Sequence, residues 1–364
     1  MTDLFNVISN FRVEGLPYHW EKYGGGHINE TYVITLQLPN GSWKRYVLQK
    51  INTKVFPDVD GLMKNAVAVT SFIKNKLQTE GAYDRAQTLN FLSTIDGKEY
   101  LNFEGGCYRC YEFIDWGTCL ESIPEPWVFE LAGKGFGRFQ KLLGDFPAET
   151  LSVPLKDFHN TEVRFAQLEK AINEDRAGRV ESCGEIIRDY ISRKHYASRI
   201  MDKLRSGEIP LRVTHNDTKL NNVLLDLQER KPLAVLDLDT VMPGSSLFDF
   251  GDAIRFGAST AAEDETDLDK VQFSLPLFKA YAKGFMEELS GTLTQAEKDN
   301  LAFSALLMTL ECGSRFLADH LNGDMYFRIH RPNHNLDRAK TQMKLVKEME
   351  KYMHEMEEYV KSLN

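Results

Sequence analysis

The sequence predicts an α+β protein of two lobes: a small β-rich lobe over residues 1–113 and a larger, mainly helical lobe over residues 114–364. Three observations carry this. The N-terminal third holds β-rich runs separated by turn chemistry, with one helical period among them. Beyond Trp116 apolar residues recur at helical spacing over long stretches. The length, 364 residues, at about 150 residues per domain, suggests about two domains. With 42% hydrophobic and 27% charged residues the chain can build a substantial core, which excludes disorder, a collagen-like repeat and a disulfide scaffold.

In chain order, residues 32–36 and 46–49 read as strands, and Pro39-Asn40-Gly41-Ser42 between them supplies a hairpin turn. Leu62, Ala66, Val69, Ile73 and Leu77 then follow a helical period. A second hairpin is expected around Asp96-Gly97, and a strand over 107–113 closes the lobe. Helices are expected over 126–143, 185–204, 268–289, 295–321 and 336–363. Arg188, Arg193, Lys194 and Arg199 read as a solvated helix face. In the last helix Val346, Met349, Met353, Met356 and Val360 form a heptad-like stripe, read as packing on the parent lobe. A monomer or weak homodimer is therefore expected.

The net charge of -9 argues against nucleic acid or an anionic membrane held by bulk electrostatics, but not against ATP, which backbone N–H groups can hold. The N-terminus has no signal-peptide pattern, and the apolar window 301–310 is too short for a membrane span. Five scattered cysteines suggest reduced thiols and a cytoplasmic protein. Cys107 and Cys110, with only Cys119 nearby, lack the second ligand pair of a zinc site and read as core strand residues.

The sharpest segment is Thr214-His215-Asn216-Asp217-Thr218-Lys219-Leu220-Asn221-Asn222, set between the short strand 211–213 and a hairpin. Fifteen residues after Asn222 comes Asp237, at the end of an apolar strand and followed by Asp239. Phosphoryl transfer from ATP needs a carboxylate beside the acceptor hydroxyl and oxygen ligands for a Mg2+ that bridges phosphates. Asp217 fills the first role; Asn222 and Asp237 fill the second. Upstream, Gly24, Gly25 and Gly26 between two strands offer a phosphate cradle of backbone N–H groups, followed by His27. The run lacks the G-x-x-x-x-G-K-[ST] of a P-loop. In a late helix Arg315 and Asp319 lie four apart, hence on one face.

With these motifs the sequence resembles the aminoglycoside phosphotransferase and choline kinase superfamily. The longer motifs GGHINETY, THNDTKLNN, LDLDTVMPGSSLFDFGDAIRFGAST, ECGSRFLADHL and GDMYF resemble, more closely, its N-acetylhexosamine 1-kinases. The resemblance implies a protein-kinase-like fold, ATP and Mg2+ as nucleotide and metal, and phosphorylation of the anomeric hydroxyl of N-acetylglucosamine or N-acetylgalactosamine. It implies Asp217 as catalytic base and Asn222 and Asp237 as metal ligands, with Asp239 an extra ligand or supporting acid. Glu112, Phe113 and Ile114 become the hinge whose backbone reads adenine, and His27, Arg315 and Asp319 acceptor-binding residues. Asp249 is expected to tie the catalytic loop, while His215, which stands where the family has its loop-buttressing histidine, is read as a satisfied buried histidine.

The sequence departs from the family in one place. Strand alternation puts Gln49 where a lysine normally meets the phosphates, with Lys50 on the other face, and no Glu occurs between Leu62 and Gln78. Gln49 is expected to donate to phosphate as a neutral group. The alternatives are a same-fold kinase for an amino alcohol or aminoglycoside, a metal-dependent hydrolase, and a catalytically silent nucleotide-binding module.

Overall fold

The structure, a computed structural model, describes residues 3–24, 28–84, 87–289 and 291–363. The chain divides into two compact units that interleave along the sequence. Unit 1 comprises Met1–Thr118, Asp145–Lys156 and Leu224–Pro243; unit 2 comprises Cys119–Gly144, Asp157–Val223 and Gly244–Asn364. The fold is α+β, a β-rich N-terminal part with a larger helical part.

Unit 1 runs α1 (Leu4–Ile8), β1 (Leu16–Lys22), β2 (Glu30–Gln37), β3 (Trp43–Lys50), α2 (Val59–Thr79), β4 (Phe91–Leu92), β5 (Leu101–Phe103) and β6 (Gly106–Glu112). The strands form one antiparallel sheet in the order β1-β2-β3-β6-β4, with β5 also paired to β6. The Asn40-Gly41 turn forms as expected, with Gly41 at φ +81° where a side chain would be strained. The chain also turns at Gly97, but the tight hairpin lies further on, at Glu104 and Gly105, whose φ values of 45° and 75° suit the turn that joins β5 to β6.

Alternation along the strands gives the sheet two faces. Ile34, Leu36, Tyr46, Leu48 and Cys110 pack under Leu4, Val7 and Ile8 of α1; each buried Ile or Leu contributes about 1.5–3 kcal/mol. Cys107 and Cys110 are buried free thiols, as core strand residues. α2 is capped by Asp58, which accepts the Gly61 N–H at 2.9 Å, and buries Leu62, Ala66, Val69, Ile73 and Leu77, the predicted stripe. Later in the chain the strands Val223–Asp226 and Lys231–Val235 pair as a hairpin.

Unit 2 is built on α3 (Pro126–Leu142), α4 (Thr161–Glu174), α5 (Gly184–Ser192), α6 (Arg199–Arg205), α7 (Ser246–Gly257), α8 (Leu275–Leu289), α9 (Gln295–Lys298), α10 (Leu301–Leu321) and α11 (His334–Ser362). α3 and α8 pack so closely that a Cβ on Gly133 would lie 2.3 Å from the Tyr281 carbonyl oxygen. α10 is long and apolar enough to cross a membrane, but 89% of that stretch is buried among its neighbours.

Three expected helices are broken. The 185–204 stretch ends at Ser192 because Arg193 and His195 turn back onto the Asp189 and Ser192 carbonyls, each at 3.0 Å, and α6 restarts at Arg199. The 268–289 stretch begins as a 3-10 turn, with α8 starting only at Leu275-Pro276, where proline suits a first helical turn. The 295–321 stretch splits after the one-turn α9, which is closed by a capping box of Thr294 and Glu297. Two helices escape the apolar pattern, α4 and α7; Asn160 and Ser245 cap them. Arg193 and Arg199 are not a free solvated face: Arg193 grips Glu350 with two bonds of 2.7 Å, and Arg199 donates to Asn300 at 2.9 Å. In the last helix Val346, Met349, Met356 and Val360 are buried, as packing on the parent unit requires.

Candidate active site

The catalytic-loop sequence is held in unit 2 by groups from four helices. Strand Arg212–Thr214 delivers the chain to His215 and Asn216, both buried. Asp249, in the first turn of α7 and fully buried, accepts the His215 N–H at 2.9 Å and the Asn216 N–H at 2.8 Å. Gln140 of α3 adds a bond of 2.6 Å to the same carboxylate. Burial pushes the Asp249 carboxyl above its ordinary range, against the pull of His215 and these donors. The Thr218 hydroxyl donates to the Asp249 carbonyl at 2.6 Å, and its N–H to Asp252 at 3.2 Å. Burial would raise Asp252 too, but Arg255, His159 and Lys219 hold it below its usual value.

Asn216 adopts the left-handed conformation, φ 66°. Its carbonyl meets His159 Nε2 at 3.2 Å, while His159 Nδ1 meets Glu311 of α10 at 2.8 Å and Thr161 of α4 donates to the other Glu311 oxygen at 2.6 Å. The Asp217 N–H donates to His215 Nδ1 at 3.2 Å, and the His215 ring lies edge-on to Phe136 and Phe139. His215 is thus buried and satisfied, as expected, and through the Asp217 N–H it also supports the loop.

Asp217 itself is partly open, 28% exposed at its side chain. Asn222 donates through Nδ2 to the Asp217 carbonyl at 2.8 Å and to its carboxylate at 3.1 Å. Two acceptors facing the amide fix its orientation, which turns Oδ1 away as an oxygen donor. Lys219 sits on the Asp217 carboxylate at 2.8 Å; burial would lower its pKa, but Asp217 holds it above the usual range. Spacing alone does not single out Lys219.

Unit 1 holds the glycine run, Asp237, Gln49 and the hinge segment. Gly24 is at φ +70°, and no described atom lies within 4 Å of where its Cβ would stand; Gly25, Gly26 and His27 lie outside the described residues. Asp237 follows strand Lys231–Val235 in the left-handed region, φ 53°, and starts a 3-10 turn over Leu238–Thr240. Gln49 has both ends of its amide engaged by one bond each, and its second Nε2 hydrogen has no partner among the described residues. It donates to Thr31 at 3.0 Å and accepts from Arg109 Nε at 2.9 Å, while Lys50 lies 4.0 Å from Glu30. In the hinge segment the Glu112 and Phe113 N–H groups already donate to Asn90 and Arg45 carbonyls at 3.1 Å each, which leaves the Ile114 N–H of the three without a partner among the described residues.

Arg315 and Asp319 share a helix face but do not act together. Asp319 accepts N–H groups of Met325, Tyr326 and Phe327 at 2.8–3.0 Å and the Asn335 amide at 3.0 Å, so its oxygens hold a loop. Arg315 lies 5.5 Å from the rings of both Phe158 and Phe327. It lines a cavity of about 340 Å³ in unit 2, with Arg164, Tyr326 and Phe327. In the acidic run Glu263-Asp264-Glu265, Glu263 pairs with Arg255 at 2.9 Å and Asp264 with His334 at 3.0 Å. Among the described residues no group of three or more His, Cys, Asp or Glu is arranged to hold a metal.

A buttressed H-x-D-x-x-x-x-N loop on a kinase-like fold defines a phosphotransferase. The sequence profile described as the phosphotransferase enzyme family (APH) matches residues 19–284, and the chain belongs to that family. The fold is similar to that of an aminoglycoside phosphotransferase from Alicyclobacillus acidocaldarius, with a TM-score of 0.62 and 12% identity over 100% of this chain and 97% of that one. It is also similar to a microcompartment-associated aminopropanol kinase, with a TM-score of 0.58 and 13% identity over 97% of each chain. An amicoumacin kinase in complex with AMP-PNP and Ca2+ gives 0.58 and 14% over 96% of this chain and 92% of that one.

Proposed function

We propose that this phosphotransferase moves the γ-phosphoryl group of ATP to the anomeric hydroxyl of an N-acetylated hexosamine. The observation that supports an uncharged acceptor most is the cavity around Arg315. Lys170 and Arg176 share Glu174, at 3.8 and 2.8 Å, and Asp319 is engaged by its loop. Among the described residues Arg164 and Arg315 form no ion pair; Arg164 donates to neutral oxygens of Gln167 and Phe158 at 3.1 and 3.0 Å. Burial, with the neighbouring Arg315, lowers the Arg164 pKa from its ordinary value. Such a cavity repels a substrate ammonium, whereas a sugar offers oxygens to guanidinium forks and C–H faces to Tyr326 and Phe327.

In this reading Asp217 orients the acceptor hydroxyl and takes up its proton; an anomeric hydroxyl, more acidic than an ordinary alcohol, gives it up more readily. Asn222 and Asp237 offer an amide and a carboxylate oxygen, a hard donor set that fits Mg2+. Bound there, Mg2+ supplies charge neutralisation on the phosphates. Gly24–Gly26 cradle phosphate, the Ile114 N–H reads adenine, and His27 and Arg315 contact the sugar, with Asp319 acting through the loop it holds. A cytoplasm-like compartment goes with five free thiols.

The test is ADP release with Mg2+ against a panel of N-acetylglucosamine, N-acetylgalactosamine, aminopropanol, choline, an aminoglycoside and no acceptor, with 31P NMR of the product. The reading requires release only with the N-acetylated sugars and a phosphate on C1. Release with amino alcohols or aminoglycosides instead assigns the same-fold alternative. Release without acceptor contradicts both.

A further inference from the structure

The fully buried guanidinium groups of this protein have acids beside them. Arg109 forms an ion pair with Asp239, and Arg255 pairs with Asp252 and Glu263 at 2.9 Å each. Arg164 of α4 and Arg315 of α10 differ: both are half-buried, and among the described residues neither forms an ion pair. Both line the cavity of about 340 Å³ in unit 2. They also meet at one residue, since Arg164 donates to the Phe158 carbonyl at 3.0 Å and the Arg315 guanidinium lies 5.5 Å from the Phe158 ring. A second Arg164 bond goes to the neutral Gln167 oxygen at 3.1 Å, and Arg164 Nε is buried with no partner among the described residues. A buried donor without an acceptor destabilises a folded protein, and a ligand oxygen removes that penalty.

The acids that could serve these two groups are taken. Glu311 and Asp319 stand one turn to either side of Arg315 on α10. Glu311 meets His159 Nδ1 at 2.8 Å and accepts from Thr161 at 2.6 Å, while Asp319 accepts three backbone N–H groups of its loop and the Asn335 amide. At the cavity wall Glu174 faces Lys170 and Arg176, at 3.8 and 2.8 Å. Four basic side chains therefore line the cavity against two acids, both engaged, on a chain whose net charge is -9. The positive charge belongs to this cavity and not to the surface as a whole.

We propose that this cavity binds the phosphate group of a phosphate monoester or of free phosphate between Arg164 and Arg315. A phosphate monoester carries a charge of about −2 at pH 7 and three acceptor oxygens, which suits two guanidinium groups. A carboxylate brings one charge and two oxygens, enough for one. Tyr326 and Phe327, which also line the cavity, offer ring faces to a sugar that carries the phosphate. Anion binding does not depend on the kinase reading. One consequence rests on that reading, in which Arg315 contacts the neutral sugar: anion and sugar then exclude each other, and a sugar phosphate inhibits by taking the acceptor's place.

The test is isothermal titration calorimetry of the full chain at low salt, without nucleotide or metal, using inorganic phosphate and N-acetylglucosamine 6-phosphate as probes. R164Q removes one charge and the Nε donor. It is expected to raise the dissociation constant of each probe that binds about 10-fold or more, the effect of a lost charge-assisted hydrogen bond. An ester that binds wild type at least about tenfold more tightly than inorganic phosphate assigns a sugar phosphate as the ligand, and a smaller ratio assigns free phosphate. No binding of either probe to wild type overturns the proposal. So does wild-type affinity in R164Q, which puts the anion at another site. If R164Q does not fold, R315Q decides on the same limits. Failure of the sugar reading is distinct: Arg164-dependent anion binding that leaves N-acetylglucosamine binding unmoved keeps the anion site and places the acceptor elsewhere.

Discussion

Asp249→Asn tests how the catalytic loop is held. In the native protein two carboxylate oxygens receive three donors, the His215 and Asn216 N–H groups and the Gln140 amide, at 2.6–2.9 Å. An asparagine keeps one oxygen. Placed where His215 and Gln140 converge, it turns its NH2 toward the Asn216 N–H. One buried donor is then unsatisfied, at about 1–3 kcal/mol, and two charge-assisted bonds become neutral, at about 1 kcal/mol each. Relief of a buried charge, the effect that pushes the Asp249 carboxyl upward, offsets part of this. The net loss is about 2–4 kcal/mol, or about 3–5 °C in Tm for a chain of 364 residues. Because Asn216 adjoins Asp217, kcat should also fall about 10- to 100-fold, with the KM for ATP nearly constant. Thermal unfolding and steady-state kinetics at pH 7 read both quantities. A variant with wild-type Tm and kcat would refute the anchoring role.

Glu311 carries a pH dependence of known sign. Burial raises its carboxyl, but His159 and Thr161 hold it below its ordinary 4.5, so its stabilisation is present above that pH and lost as pH falls through the lower folded value. Glu311→Gln should therefore flatten the decline of Tm below pH 4.5; an unchanged acid slope contradicts the pairing with His159. Arg315→Ala should raise the KM for sugar about tenfold, ~1.4 kcal/mol, the size of one charge-assisted hydrogen bond, and leave that for ATP unmoved. A loss of Tm with no change in the sugar KM would place the acceptor elsewhere.

The catalytic loop is legible in the sequence because its residues are contiguous: Asp217 and Asn222 are five apart and meet directly. The β2–β3 hairpin is legible from Asn40-Gly41, since only special turn chemistry suits φ +81°. What escapes depends on groups far apart in the chain. Arg109 and Asp239 are separated by 130 positions and His159 and Glu311 by 152, and no local pattern marks either pair. The break after Ser192 escapes for a different reason. Ile187 and Ile191 before it, and Ile200 and Leu204 after it, each keep a helical interval, so the apolar pattern runs on through the interruption. Asp319 misleads because a shared helix face makes it look like a partner of Arg315, while the loop at Met325–Phe327 claims its oxygens.

The most direct measurement is kcat of Asp217→Asn with a saturating N-acetylated hexosamine, beside nucleotide binding to the same protein. Asparagine keeps the size and the contact with Asn222 but cannot take the hydroxyl proton. The account predicts a fall of about 100-fold or more in kcat with nucleotide binding unchanged. A variant that retains more than about a tenth of wild-type kcat would contradict it.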